Sequence, residues 1–417
     1  MGRLLSGRGQ APLLACALLL AALAALLQPL RAAADGIEAG ADVLAVSSNG
    51  TTSFLNNGLG AVRFDSDHQG LQLDNVRLGY RGTAAEIVHF TVEAVSYGDR
   101  DANPIDLTEA FAEIRPFPHG PWRSRLKIGA FYAPISLENR LPGWRSAYSL
   151  SPSAINTWVG EELRTFGAEY DLDWLGRQRG HDWELSLGGS VYGWNESAGE
   201  LMSERGWAIH DRQSTLFAKF GTAEPGAIAD ERLLTDAGAN RAGYYVDGAA
   251  KYLDALELRA LHYDNRANPG AYSEEANNYP WQTQFNSAGV RWTPSTHWTL
   301  ISQWLHGSTC SDAEDEEYYC WSFESEFLLL SWQLGPTRLS GRYERFDMHQ
   351  SVPSGAPDGY RDQGHAWTFA CERAFNRYLS VALEFIQADT SLNERLEFGL
   401  PQGATERELE LALRLHL

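Results

Sequence analysis

The sequence predicts an all-β chain: an antiparallel transmembrane β-barrel of about sixteen strands, with a long third loop folded into the lumen. Three observations carry this. Successive segments alternate apolar and polar residues, the period of two that sends neighbouring side chains to opposite faces of a strand. The segments run about ten to thirteen residues, longer than the usual soluble strand of about 5–6 and near the ~9–11 that a tilted spanning strand needs. The connections alternate short and long, the pattern of barrels with short periplasmic turns and longer external loops.

The N-terminus comes first. Arg3 and Arg8 precede a nearly continuous Leu/Ala run over 13–27, and Ala32-Ala33-Ala34 stands before Asp35. This is the pattern of a secretory signal peptide over 1–34; Pro29 and the small triplet oppose an uncleaved anchor. Residues 35–56 read as a lead-in and 57–417 as the barrel. Beyond Asp35 no apolar run approaches the ~18 residues of a transmembrane helix, so a membrane chain must cross as strands.

Strands are expected at 57–66, 71–81, 84–97, 106–116, 123–134, 162–174, 182–194, 242–254, 256–265, 282–292, 297–307, 320–333, 337–347, 364–374, 377–390 and 406–417. Trp174, Trp194, Trp292, Trp298 and Trp332 lie at segment ends, where an aromatic girdle belongs. The last strand alternates most cleanly. Leu409, Leu411, Leu413, Leu415 and Leu417 share one face; Glu408, Glu410 and Arg414 share the other. Setting this end in the periplasm puts every long connection outside. Cys310 and Cys320 flank a polar, acidic loop and are expected to form a local disulfide, since an exported chain meets an oxidising compartment. Cys371 falls within a strand.

Charge narrows the function. The formal net charge is −20, and loss of Arg3, Arg8 and Arg31 with the leader makes it three units more negative. Nucleic acid is therefore not an expected partner. The third long loop, 135–160, carries Leu137, Leu141, Trp144, Tyr148, Leu150, Ile155 and Trp158. A solvated loop does not need these; folding into the barrel buries them and turns Glu138, Arg140 and Arg145 toward the pore. The alternative is packing over the rim or against a neighbouring subunit. Arg123, Arg125 and Lys127 share one face of the preceding strand. Two readings stand for this row: a field that favours anions, or a structural row paired with Glu169, Asp171 and Asp173.

Catalytic and metal signatures are weak. There is no Gly-x-Ser-x-Gly, His-Glu-x-x-His or Walker loop. The compact His/Asp pairings are His210-Asp211 and His262-Tyr263-Asp264; a hydrolase in the 195–241 loop would set His210 beside Ser197, Ser203 or Ser214. The acidic run Asp312, Glu314, Asp315, Glu316, Glu317 reads as a loop tip, with cation bridges to lipopolysaccharide as an alternative to Ca²⁺. No cofactor and no metal are assigned.

The segment 125–138 resembles the strand-to-loop segment of the phosphate-selective porin O and P family, through Lys127, Gly129, Phe131, Pro134, Leu137 and Glu138. The stretches 153–169 and 205–213 are similar to porins of that superfamily. The resemblance implies a sixteen-stranded, usually trimeric porin with loop three in the lumen. Phosphate-specific members carry a lysine cluster, whereas this chain has Lys127, Lys219 and Lys251 alone, which argues against phosphate. The expected function is passive diffusion of small hydrophilic solutes, anions among them, across the bacterial outer membrane. The expected partners are membrane lipid, lipopolysaccharide and two further copies of the chain. The alternatives are a barrel enzyme using the 195–241 loop and a surface β-structure adhesin.

Overall fold

The computed structural model describes residues 36–84, 86–98, 105–218, 241–271, 279–312, 318–351 and 359–417. The expected leader, 1–34, and residues 313–317 of the acidic run lie outside the described residues, as does the 219–240 part of the fourth loop.

Sixteen strands close into one antiparallel barrel in chain order. They are β1 (Ile37–Ser48), β2 (Gly70–Ala84), β3 (Val88–Tyr97), β4 (Asp106–Ile114), β5 (Trp122–Phe131), β6 (Thr165–Trp174), β7 (Trp183–Gly193) and β8 (Gly243–Tyr252). There follow β9 (Leu256–Asp264), β10 (Gln282–Trp292), β11 (Trp298–Asp312), β12 (Tyr318–Leu334), β13 (Thr337–Ser351), β14 (Arg361–Asn376), β15 (Leu379–Leu392) and β16 (Gly403–His416). Each strand pairs with its chain neighbours, and β1 pairs with β16 from Gly40↔His416 to Ser48↔Glu408. Closure leaves no edge with unpaired backbone groups, which lipid cannot satisfy.

The faces follow the sequence period. On β16, Leu409 and Leu411 are 43% and 48% exposed, while Glu406, Glu408 and Glu410 are 1%, 1% and 4% exposed. The apolar face is outward and the acidic face inward. The short-turn end carries the girdle: Trp122 opposes Trp174, Trp183 packs on Tyr252 at 5.1 Å and Trp298 stacks on Trp332 at 5.3 Å. Trp194 lies at the other end, edge-on to Phe166. A closed sixteen-stranded barrel with an apolar outer band is a bacterial outer-membrane fold.

One strand differs from expectation. Ile37–Ser48, read as a lead-in, is the first wall strand. The segment 57–66 is not a wall strand; Gly60 and Val62 make isolated bridges to Ser53 and Ile209. The physical reason is closure: the leucine-faced β16 needs an antiparallel neighbour on its free side. β1 provides one, with Leu44 and Val46 turned inward onto Phe64 and Ala412.

Cys310 and Cys320 oppose each other across β11 and β12 and are bonded. Gly129 on β5 has φ +135°, and a Cβ there would sit 2.3 Å from the Ala110 carbonyl oxygen. That close approach explains a glycine in the Lys-x-Gly-x-Phe motif.

Candidate functional site: a lumen filled by three loops

Three long loops enter the ring of strands. The third, between β5 and β6, contains a helix, α1 (Ala154–Glu162), buried on every side. Ser153 caps it, its Oγ accepting the Asn156 N–H. At the same end, Glu344 of β13 accepts the Ala154 N–H at 2.7 Å, so a carboxylate meets the positive end of the helix. Glu384 of β15 accepts from Leu150 N and Ser151 N at 2.6 and 2.8 Å. Trp158 packs on Phe285 and Phe323, inward residues of β10 and β12. These bonds reach across the lumen from the β5–β6 wall.

The first loop, between β1 and β2, is held by β16. Glu406 accepts from Thr51 N at 2.9 Å and Ala61 N at 2.7 Å, and Glu408 from Phe64 N at 2.8 Å. The fourth loop is read outward from the sequence, but its residues 194–218 turn inward. A short helix, α2 (Glu200–Arg205), starts where the N–H groups of Gly199 and Leu201 donate to Glu162 of α1 at 3.1 and 2.7 Å. Ile209 N donates to Ala61 O at 2.8 Å, and Thr157 Oγ1 to His210 O at 2.9 Å. The loops therefore hold one another as well as the wall.

The six residues proposed for the pore fall into three groups. Arg123, Arg125 and Lys127 face inward, each opposite the acid named as its partner in the structural reading. Arg123 reaches Asp173 and Arg125 reaches Asp171, both at 2.8 Å; Lys127 reaches Glu169 at 2.7 Å. Arg140 makes two 2.8 Å bonds to Glu257 of β9. Glu138 does not face a pore. It is fully buried, accepts from Ser153 N and Asn156 Nδ2 at 2.7 and 2.8 Å, and lies 3.6 Å from Arg342. A buried carboxylate is tolerated only when paired and hydrogen-bonded, and Arg342, 204 positions away, supplies the pairing. Arg342 also binds Glu344 and the Ser151 and Pro152 carbonyls at 2.9 Å each.

Arg145 lines a cavity, while Arg123, its side chain 53% exposed, is the most open of the basic row. A cavity of about 170 Å³ lies at the short-turn end, beside the chain terminus, lined by Asp42, Arg77, Glu93, Pro142, Arg145 and Leu417 among others. It continues to a neck of about 10 Å³ that shares Asp42, Arg77 and Arg145 and adds Asp211, Arg212 and Arg414. That volume suits about one water. Arg77 Nε and Nη1 are buried there without an acceptor among the described residues. Sequence reasoning set Arg414 on the polar face of the last strand but passed over Asp42, Arg77 and Glu93 as site residues. The inward face of β2 was hard to follow because a bulge at Asp42/Val43 shifts its register against β1.

His210 of the hydrolase alternative is fully buried, 3.1 Å from Glu161 and stacked on Phe54 at 4.4 Å. Ser203 Oγ instead donates to Glu200 O at 2.7 Å, and Ser214 O accepts from Arg164 at 2.8 Å.

Neither a family model nor a curated protein matches the sequence. Among solved structures the chain is similar to OmpTdeltaL8, a loop L8 deletion mutant of OmpT, an outer membrane protein of Vibrio cholerae. The TM-score is 0.53 at 7% identity, covering 91% of this chain and 98% of that one. It is also similar to Salmonella typhi OmpF, solved with daunomycin, at TM-score 0.50 and 12% identity, covering 91% and 97%. At these identities the likeness is one of fold.

Proposed function

We propose that the chain is an outer-membrane porin that passes small hydrophilic solutes by passive diffusion. The route runs between the β1–β3 wall and the third loop, not through the barrel centre. The observation that carries this is the polar cavity at Asp42, Arg77, Glu93 and Arg145, set beside third and fourth loops whose Trp158 and Trp207 pack against the opposite wall. The neck is too narrow for an open pore, so a solute advances as the long Arg77 and Arg145 side chains swing aside. Arg77, Arg145 and Arg414 outnumber Asp42 and Asp211 at the neck, so anions are favoured there. The Arg123, Arg125 and Lys127 row contributes little, because each member is matched by an acid. Phosphate selectivity of the porin O and P kind is not part of this reading. Assembly as a homotrimer, as in the family the sequence resembles, completes it.

Planar-bilayer recording tests the proposal. The reconstituted protein gives small, steady conductance steps and an anion-favouring reversal potential in a salt gradient. Arg77→Glu with Arg145→Glu moves that potential toward cations. Absence of conductance from correctly folded protein refutes the channel; an unmoved reversal potential in the double variant moves the filter elsewhere.

A further inference from the structure

The cavity beside the third loop is lined by both signs of charge, and they are anchored differently. Glu93 takes Arg81 on Oε1 at 2.5 Å, and Asp42 takes Arg414 at 3.3 Å. Each acid is thus held by an arginine that does not line the cavity. Glu38, more exposed, shares Arg81 at 2.6 Å. The two arginines of the lining have no such anchor. Arg145 donates Nε to the Pro142 carbonyl at 3.0 Å, and among the described residues no carboxylate lies within 4.0 Å of it. Arg77 meets Asp211 only at 4.0 Å and keeps Nε and Nη1 buried without an acceptor among the described residues. Buried donors are nearly always partnered, so Arg77 calls for an acceptor from outside the chain. Burial, Arg77 and Arg414 push the Arg145 guanidinium down to about 9 from 12.5, against the pull of Asp42 and Glu93. An anion between the two arginines relieves that.

An acid and a base also meet at one point of this lining. A Cβ at Gly143, at the tip of the third loop, would lie 3.8 Å from Arg77 Cδ and 4.0 Å from Glu93 Oε2. Glu93 Oε2 is the oxygen that Arg81 leaves open. At about 170 Å³ the cavity is smaller than the roughly 300–1,000 Å³ of drug-sized sites, so its ligand is compact. A bare anion there faces Glu93 and Asp42, and a bare cation faces Arg77 and Arg145. A molecule with both charges on one carbon is complementary to both pairs. We propose that this cavity binds a small zwitterion of the α-amino acid class, its carboxylate on Arg77 and Arg145 and its ammonium on Glu93 and Asp42. This names a substrate class for the route described above and rests on that route.

Titration calorimetry on the folded full chain in detergent tests this with three probes of similar size. L-alanine carries both charges. L-lactate has a hydroxyl in place of the ammonium, and L-alaninamide has an amide in place of the carboxylate. Wild-type protein binds alanine saturably and each of the other two about tenfold or more weakly, because each forfeits one set of charge-assisted hydrogen bonds. Arg145→Gln weakens alanine by about tenfold and leaves alaninamide as in wild type. Glu93→Gln weakens alanine and leaves lactate no weaker than before. Heat-modifiable migration checks that each variant folds; the three-probe comparison needs wild-type protein alone. The proposal is overturned by no alanine binding, by equal binding of lactate (an anion site), by equal binding of alaninamide (a cation site), or by unchanged alanine affinity in folded Arg145→Gln. Bilayer conductance without alanine binding overturns this inference alone. Absence of conductance overturns the porin reading, whatever alanine does.

Discussion

Glu384 on β15 accepts the backbone N–H of Ser151 at 2.8 Å, across 233 positions of chain. With Glu344, Glu406 and Glu408 it forms a set of inward glutamates that take up N–H groups the loops would otherwise bury unpaired. The wall is acidic because the contents of the barrel present donors.

Replacing Glu384 by Ala orphans the N–H groups of Leu150 and Ser151. A buried donor left unmade costs about 1–3 kcal/mol. The expected outcome is a lower temperature for loss of the compact electrophoretic form, with single-channel conductance raised as the third loop loosens. Unchanged conductance with reduced stability would show that this end of the loop does not limit flow.

Arg342 is the hub of the third loop. Arg342→Met leaves Glu138 and Glu344 buried without their cation, and breaking a buried pair costs about 3–5 kcal/mol. Adding Glu344→Gln recovers part of that loss, because one uncompensated charge is removed. Urea unfolding of the two variants checks the order; equal stability contradicts the pairing.

The basic row on β5 separates a paired charge from a free one. Arg123→Ser together with Asp173→Ser removes a matched pair and leaves the reversal potential unchanged. Arg125→Ala alone leaves Asp171 unmatched and shifts selectivity toward cations. A strong shift from the first variant would restore the row as a filter.

Acid loosens the fourth loop. Burial pushes the His210 imidazole below its ordinary 6.5, against the pull of Glu161. Burial also acts to raise the Glu161 carboxyl, but Arg205 and His210 outweigh it and hold that group below its ordinary 4.5. His210 is neutral in place and protonates more readily once displaced, so the displaced loop gains from about pH 6.5 downward. Glu161 supports the docked loop above its ordinary pKa, and that support is lost as pH falls through its lowered value. Limited proteolysis after 205–218 therefore speeds up between pH 7 and pH 4. His210→Gln removes the part that begins near 6.5 and leaves the more acidic part.

Much of the architecture was legible because alternation, strand length and loop length are local signals. Fifteen of the expected strands coincide with wall strands. The exception has a cause: alternate positions of β1 are Ala39, Ala41, Val43, Ala45 and Ser47, too small to mark a lipid face, while Leu59 and Ala61 imitate one. The site was less legible because it depends on partners far along the chain. Nothing near Glu138 announces Arg342. The pairing of the β5 row with Glu169, Asp171 and Asp173 was one of two readings, and register, set by cross-strand hydrogen bonds, places each acid opposite its base. The inward fourth loop had no separate signal beyond Trp207 and Ile209, apolar residues in a segment read as external.

The seam between β1 and β16 has a consequence for assembly order. Glu406 and Glu408, eleven and nine positions before the final residue, grip the loop that immediately follows β1. The last strand thus fastens the first loop in the same movement that zips the wall shut. One strand carries both the closing seam of the wall and the anchors of the first loop, so a change on its inward face acts on both.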